Sequence, residues 1–172
     1  MAGHLVRAGL TLRVADAAPS MLDAFCKEHP AAVRCASAVD AAQGADIFLT
    51  MLPNGTIVRE VALGAGLRSG QLLLDMSSSE PMGSRSLGEE LAKKGVAMVD
   101  APVSGGVAKA RTADLAIMAG GAAAHVARAR PGLARPCAQR FATGILRPGP
   151  RAKPMNNHLS ATRPSGAARP AL

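Results

Sequence analysis

The stretch from Asp100 to Gly121, DAPVSGGVAKARTADLAIMAGG, holds the residues best suited to binding chemistry. Ser104 offers a hydroxyl, and Gly105 and Gly106 let backbone N–H groups approach a ligand with no side chain in the way. Free amides in such a turn form a concave nest that can hold a small anion. The alternative use of Ser-Gly-Gly is a tight turn between strands. Asp16 closes an apolar run, where a carboxylate can accept hydrogen bonds from a ribose diol; the alternative is an exposed Asp in a turn before Pro19. Ser77, Ser78 and Ser79 supply three hydroxyls and equally suit an N-cap for a helix after Pro81. His4, His29, His125 and His158 lack metal-ligand spacing, and no carboxylates cluster with them, so no metal is expected.

These residues need a scaffold, and the pattern predicts one. Apolar runs alternate with helix-like segments, as in a parallel sheet covered by helices. Strands are expected over Leu10–Asp16, Val33–Ala36, Asp46–Met51, Gln71–Met76, Val96–Asp100 and Leu115–Ala119. Helices are expected over Pro19–His29, Ala38–Gln43, Thr56–Leu63 and Glu80–Lys94. In the last of these, Leu87 and Leu91 share a face and Lys93-Lys94 suits the C-terminal dipole. The expected fold class is α/β, with a Rossmann-like parallel sheet.

Composition sets the limits. A chain of 172 residues suits one domain. Hydrophobic residues make up 48% but aromatics only 2%, so the core must be aliphatic. No apolar run approaches the ~18 residues of a membrane span, and the N-terminal residues lack a signal-peptide pattern. Cys26, Cys35 and Cys137 show no CxxC spacing and cannot all pair, which fits a reducing compartment. The expected location is the cytoplasm, or the mitochondrial matrix if the chain is part of a longer one.

The net charge of +8 is unevenly spread. Residues 115–172 hold eight Arg, one Lys and no acid, whereas the preceding part is nearly balanced. Seven of the twelve prolines fall between Pro131 and Pro170. A helix is expected from about Ala122 to Arg130, followed by a Pro/Arg-rich irregular tail. Nucleic acid is not the expected partner: the tail has one aromatic for stacking, and a polycation alone gives weak, salt-sensitive, sequence-blind binding.

The run from Asp100 to Gly121 resembles the substrate-binding signature of the β-hydroxyacid dehydrogenases, the family of 3-hydroxyisobutyrate dehydrogenase and tartronate semialdehyde reductase, related to 6-phosphogluconate dehydrogenase. It departs at Ala113, where the family favours Gly. The segments Thr50–Gly55 (TMLPNG) and Asp75–Ser79 (DMSSS) resemble the family's loops after its fourth and fifth strands. Met1–Gly9 resembles the helix that follows the dinucleotide-binding glycines.

The resemblance implies an NAD(P)-dependent oxidoreductase that moves a hydride between a small 3-hydroxy acid and nicotinamide. Its cofactor-binding residues would be Asp16, Met51, Leu52, Pro53, Asn54, Ser77 and Ser78. Ala17 follows Asp16 and no Arg stands there to meet a 2′-phosphate, which favours NAD over NADP. Ser104, Gly105, Gly106 and Asn156 would bind substrate. In Lys153-Pro154-Met155-Asn156-Asn157, which resembles the family's K-x-x-N-N pattern, Lys153 would be the acid/base and Asn157 its catalytic partner.

The chain contains no GxGxxG. Against the family it is expected to be truncated at both ends, lacking the first strand, the phosphate loop and the C-terminal helical domain, and to be inactive by itself. Residues 1–121 would form an incomplete dinucleotide-binding domain and 122–172 a degraded inter-domain region. The alternatives are a non-catalytic remnant acting through a partner subunit, in a homo- or hetero-oligomer, and weak nucleic-acid binding through the Arg-rich tail.

Overall fold

The structure is a computed structural model that describes residues 1–133 and 141–144. Helix α1 (Ala2–Arg7) leads into strand β1 (Arg13–Val14), helix α2 (Pro19–Glu28), strand β2 (Val33–Arg34) and helix α3 (Ala38–Ala42). Strand β3 (Ile47–Thr50), helix α4 (Gly55–Gly64), strand β4 (Leu72–Asp75), helix α5 (Pro81–Ala92) and strand β5 (Ala97–Asp100) come next. Strand β6 (Val103–Ser104), helix α6 (Gly106–Arg111), strand β7 (Ala116–Gly120), helix α7 (Ala123–Leu133) and strand β8 (Phe141–Gly144) complete the order.

Strands β3, β4 and β5 are parallel and in step, with Thr50, Asp75 and Asp100 level at their C-terminal ends. The run LLLD of β4 is buried throughout because helices cover both faces of the sheet. Period-two alternation divides it between two cores. Leu73 packs with Phe48, Val58, Leu87, Leu91 and Met98 under α3, α4 and α5. Leu72 and Leu74 pack with Val99, Ile117, Ala119, Val126 and Leu133 under α7. Each fully buried Leu contributes roughly 1.5–3 kcal/mol relative to exposure.

Local chemistry explains the helix starts. Ser37 caps α3 by accepting the Asp40 N–H, and Asn54 caps α4 by accepting the Ile57 N–H. Pro81 opens α5, where a missing N–H costs nothing. The spacing of Leu87 and Leu91 does place both against one core, as the sequence pattern predicts.

Several expectations need correction. The run Leu10–Asp16 forms a ladder only at Arg13 and Val14, which pair in parallel with Val33 and Arg34. These two strands make a separate sheet; among the described residues no strand joins β1 to β3. The strand at Leu115–Ala119 is antiparallel to β5 and β6, whereas the sequence pattern predicts a parallel one. The reason is a reversal after Pro102: Val103 pairs with Ile117 and Ser104 with Ala116, so β6 and β7 form a hairpin with α6 in its loop. The sheet also continues beyond the last predicted strand, because β8 pairs in parallel with β7.

Among the described residues no helix is long and apolar enough to cross a membrane. Within the same residues, no three His, Cys, Asp or Glu side chains are grouped so as to hold a metal ion.

Candidate functional site

The level ends of β3 and β4 send two loops off the same edge of the sheet. In open α/β sheets, ligands bind in the crevice beyond the carboxyl ends of the strands. The first loop exposes Met51, Pro53 and Asn54, while Leu52 is half-buried against the core. Asn54 is engaged as the cap of α4, which fixes its carbonyl on the helix side. The second loop buries Ser77 completely and exposes Ser78.

A hydrogen bond joins the two loops. The Ser77 hydroxyl accepts the Leu52 N–H at 2.9 Å. Ser79 donates its hydroxyl to Asp75 Oδ2 at 2.9 Å. The N-cap use of this serine run is therefore not adopted: the residue before α5 is Glu80, and it makes no side-chain cap. Gly55 permits the approach of the loops, since a Cβ there would lie 3.3 Å from Ser79 Cβ.

Sequence reasoning passes over Asp75 and Thr50, although both sit in the quoted motifs. Each is a polar residue at the end of an apolar strand, and each is buried. Asp75 Oδ1 accepts the Thr50 hydroxyl at 3.0 Å and the Ser77 N–H at 2.9 Å. A buried polar residue closing an otherwise apolar strand is the signal that could have found them.

The Ser104–Gly106 turn leaves β6, which the hairpin anchors to β7 and thereby to β5. Gly105 has φ +136° and Gly106 φ +66°, so two successive residues occupy conformations suited to glycine. Ser104 is half-buried, and both glycines are exposed. Asp16 stands apart from these loops, after β1 in the smaller sheet. It is exposed, and its Oδ1 accepts the Ala18 N–H at 2.8 Å in a local turn. Lys153, Asn156 and Asn157 lie outside the described residues.

Tied loops at adjacent parallel strand ends offer Met51, Pro53, Asn54 and Ser78 on one side, and an exposed acid follows the first strand. The sequence carries no glycine-rich phosphate turn of the GxGxxG type.

Comparison with known proteins gives a consistent picture. The family profile for the NAD binding domain of 6-phosphogluconate dehydrogenase matches residues 1–144. An NAD-dependent L-serine dehydrogenase from Pseudomonas aeruginosa is 36% identical over 173 residues, covering 98% of this chain and 57% of the relative. A 3-hydroxyisobutyrate dehydrogenase from the same organism is 35% identical, again covering 98% and 57%. Among solved structures, the Mycobacterium tuberculosis 3-hydroxyisobutyrate dehydrogenase with L-serine superposes with a TM-score of 0.82 at 32% identity, covering 93% of this chain and 55% of that one. The chain thus spans little more than half the length of the relatives it matches.

Proposed function

From a chain that belongs to the family of the 6-phosphogluconate dehydrogenase NAD binding domain, we propose the dinucleotide-binding part of a dehydrogenase acting on small 3-hydroxy acids, of the 3-hydroxyisobutyrate type. The observation that carries this reading is the Leu52–Ser77 hydrogen bond, which ties two loops at adjacent parallel strand ends into one edge, on the side of the sheet where open α/β folds bind ligands. The similarity to an L-serine dehydrogenase and a 3-hydroxyisobutyrate dehydrogenase supports the substrate class, because both named substrates carry a carboxylate and a 3-hydroxyl.

In this reading the cofactor is NAD, with NADP the alternative, and its nicotinamide supplies the hydride acceptor or donor. Asp16 accepts hydrogen bonds from the adenosine ribose. Met51, Leu52, Pro53 and Asn54 line one side of the cleft. Ser78 meets the nicotinamide ribose while Ser77 braces the loop from beneath. The Ser104 hydroxyl and the amides of Gly105 and Gly106 hold the substrate carboxylate. Lys153 takes the alcohol proton during oxidation and returns it during reduction, with Asn156 and Asn157 orienting substrate and lysine. Residues 1–121 act as the cofactor domain, which α7 and β8 extend by packing on and pairing with the same sheet, and the inter-domain region follows. The free thiols of Cys26 and Cys35 support a reducing compartment, the cytoplasm or the mitochondrial matrix.

The test is thermal unfolding of the full chain by far-UV circular dichroism, with and without excess NAD or NADP. The chain has no Trp or Tyr, so backbone ellipticity replaces the usual fluorescence. A melting temperature that rises with cofactor concentration is expected, since a ligand bound only to the folded state stabilises it. A cooperative transition unmoved by either cofactor would sink the proposal.

A further inference from the structure

Asp75 is a carboxylate with none of its surface exposed, placed where β4 otherwise presents three leucines. Burying a carboxylate is costly unless donors replace the water it loses. Here three do. Oδ1 accepts the Thr50 hydroxyl and the Ser77 N–H, and Oδ2 accepts the Ser79 hydroxyl. One donor, Thr50, closes β3 and lies 25 residues away in sequence, and the other two belong to the loop that follows Asp75. Ser77 then passes the constraint on, because its hydroxyl accepts the Leu52 N–H. Backbone pairing reinforces the junction: the Met76 N–H bonds to Thr50 O at 2.9 Å and the Ala101 N–H to Asp75 O at 2.6 Å.

An apolar residue would fill the same space in the core without this requirement for donors. What the carboxylate adds is a fixed relation between the loop at 51–54 and the loop at 76–79. We propose that Asp75 is the positioning residue of the cofactor cleft: from beneath, without touching the ligand, it holds both loops in one geometry before the dinucleotide arrives. This rests on the proposed function for the identity of the ligand, but the coupling of the loops stands on the hydrogen bonds alone. Preorganisation of this kind strengthens binding by removing the cost of ordering loops on association.

The experiment uses the full chain as wild type, Asp75→Ala, Asp75→Asn and Leu74→Ala. Two quantities are read: amide hydrogen exchange at Leu52 and Ser77 without ligand, and NAD affinity per folded protein by calorimetry. Leu74 is equally buried on the same strand but packs in the apolar core, so its truncation reports general destabilisation. Asp75→Ala is expected to accelerate exchange at Leu52 and weaken NAD binding about ten-fold or more, the size expected for stranded hydrogen-bond partners. Asp75→Asn keeps one oxygen for Thr50 and Ser77 and turns an amide toward the Ser79 hydroxyl, so it should fall between wild type and alanine. Leu74→Ala should lower the melting temperature and leave the affinity of the folded fraction unchanged.

Wild-type affinity in both Asp75 variants would overturn the proposal, as would an equal loss in Leu74→Ala at matched stability. If Asp75→Ala does not fold, Asp75→Asn carries the decision. If the wild type binds no NAD, the cofactor reading fails, and exchange at Leu52 still decides the positioning role. Faster exchange in Asp75→Asn but not in Leu74→Ala upholds that role, and unchanged exchange refutes it.

Discussion

His4 Nε2 lies 2.9 Å from the carbonyl oxygen of Ala110, a contact across 106 residues. Arg7 donates to His4 Nδ1 at 3.0 Å, and an arginine can only donate. The imidazole hydrogen is therefore on Nε2, and His4 donates it to Ala110. The bond fastens α1 to the end of α6, the short helix behind the Ser104–Gly106 turn. His4→Ala should cost about 1 kcal/mol, the usual net value of one hydrogen bond. It should also speed amide exchange in α6 more than in α5, which hydrogen exchange with mass spectrometry would resolve.

The two glycines of the turn should respond differently to alanine. At Gly105 a Cβ would lie 2.8 Å from Lys109 Cδ and 2.9 Å from Lys109 Cβ, at φ +136°. That backbone conformation belongs almost solely to glycine, and forcing another residue into it costs about 1–3 kcal/mol. At Gly106 a Cβ would meet nothing within 4 Å, and φ +66° is left-handed helical. Gly106→Ala should therefore cost only about 1 kcal/mol, and Gly106→Asn less. Chemical denaturation of the three variants checks the order; equal losses at the two positions would contradict it.

Ala113 holds φ +57° and, among the described residues, is the only non-glycine with a positive φ. An L-residue there is strained by roughly 1–2 kcal/mol, whereas glycine adds about 0.5–1 kcal/mol of chain entropy to lose on folding. Ala113→Gly should consequently be neutral to stabilising, by up to about 1 kcal/mol, even though Ala is usually the more stabilising residue. A lower melting temperature in the glycine variant would refute this.

Cys35 supplies a pH dependence. Burial raises its thiol pKa; nearby Arg13 opposes the shift and Asp40 adds to it. With the folded pKa above the unfolded one, the unfolded chain releases this proton first. The resulting stability is complete below the ordinary thiol pKa of about 8.5 and is lost as pH rises through the folded value. Urea midpoints should therefore fall above about pH 8.5, and Cys35→Val should flatten that fall. At neutral pH a thiol reagent should label half-buried Cys26 before Cys35, as peptide mapping would show.

Much of this molecule was legible because burial leaves a local imprint. The apolar runs FLT, LLLD and MVD mark strands with helices above and below, and Leu87 and Leu91 mark the inner face of α5. The Ser-Gly-Gly run marks a turn that needs glycine, and Gly105 and Gly106 do stand at positive φ. These features depend on residues two to four positions apart, so composition and spacing suffice to state them.

Strand direction and polar pairing are not local. Whether the chain after Pro102 continues or reverses depends on which edge of the sheet is open to it, and it reverses, pairing Val103 with Ile117. Thr50 and Asp75 become partners only because β3 and β4 align in register, leaving their ends level. The sequence by itself determined the α/β alternation, the aliphatic core and the family motifs. The tertiary structure alone decided the antiparallel hairpin, the added strand β8 and the carboxylate that ties two loops together. Those depend on contacts between distant segments, and such contacts exist only once the sheet has brought the segments side by side.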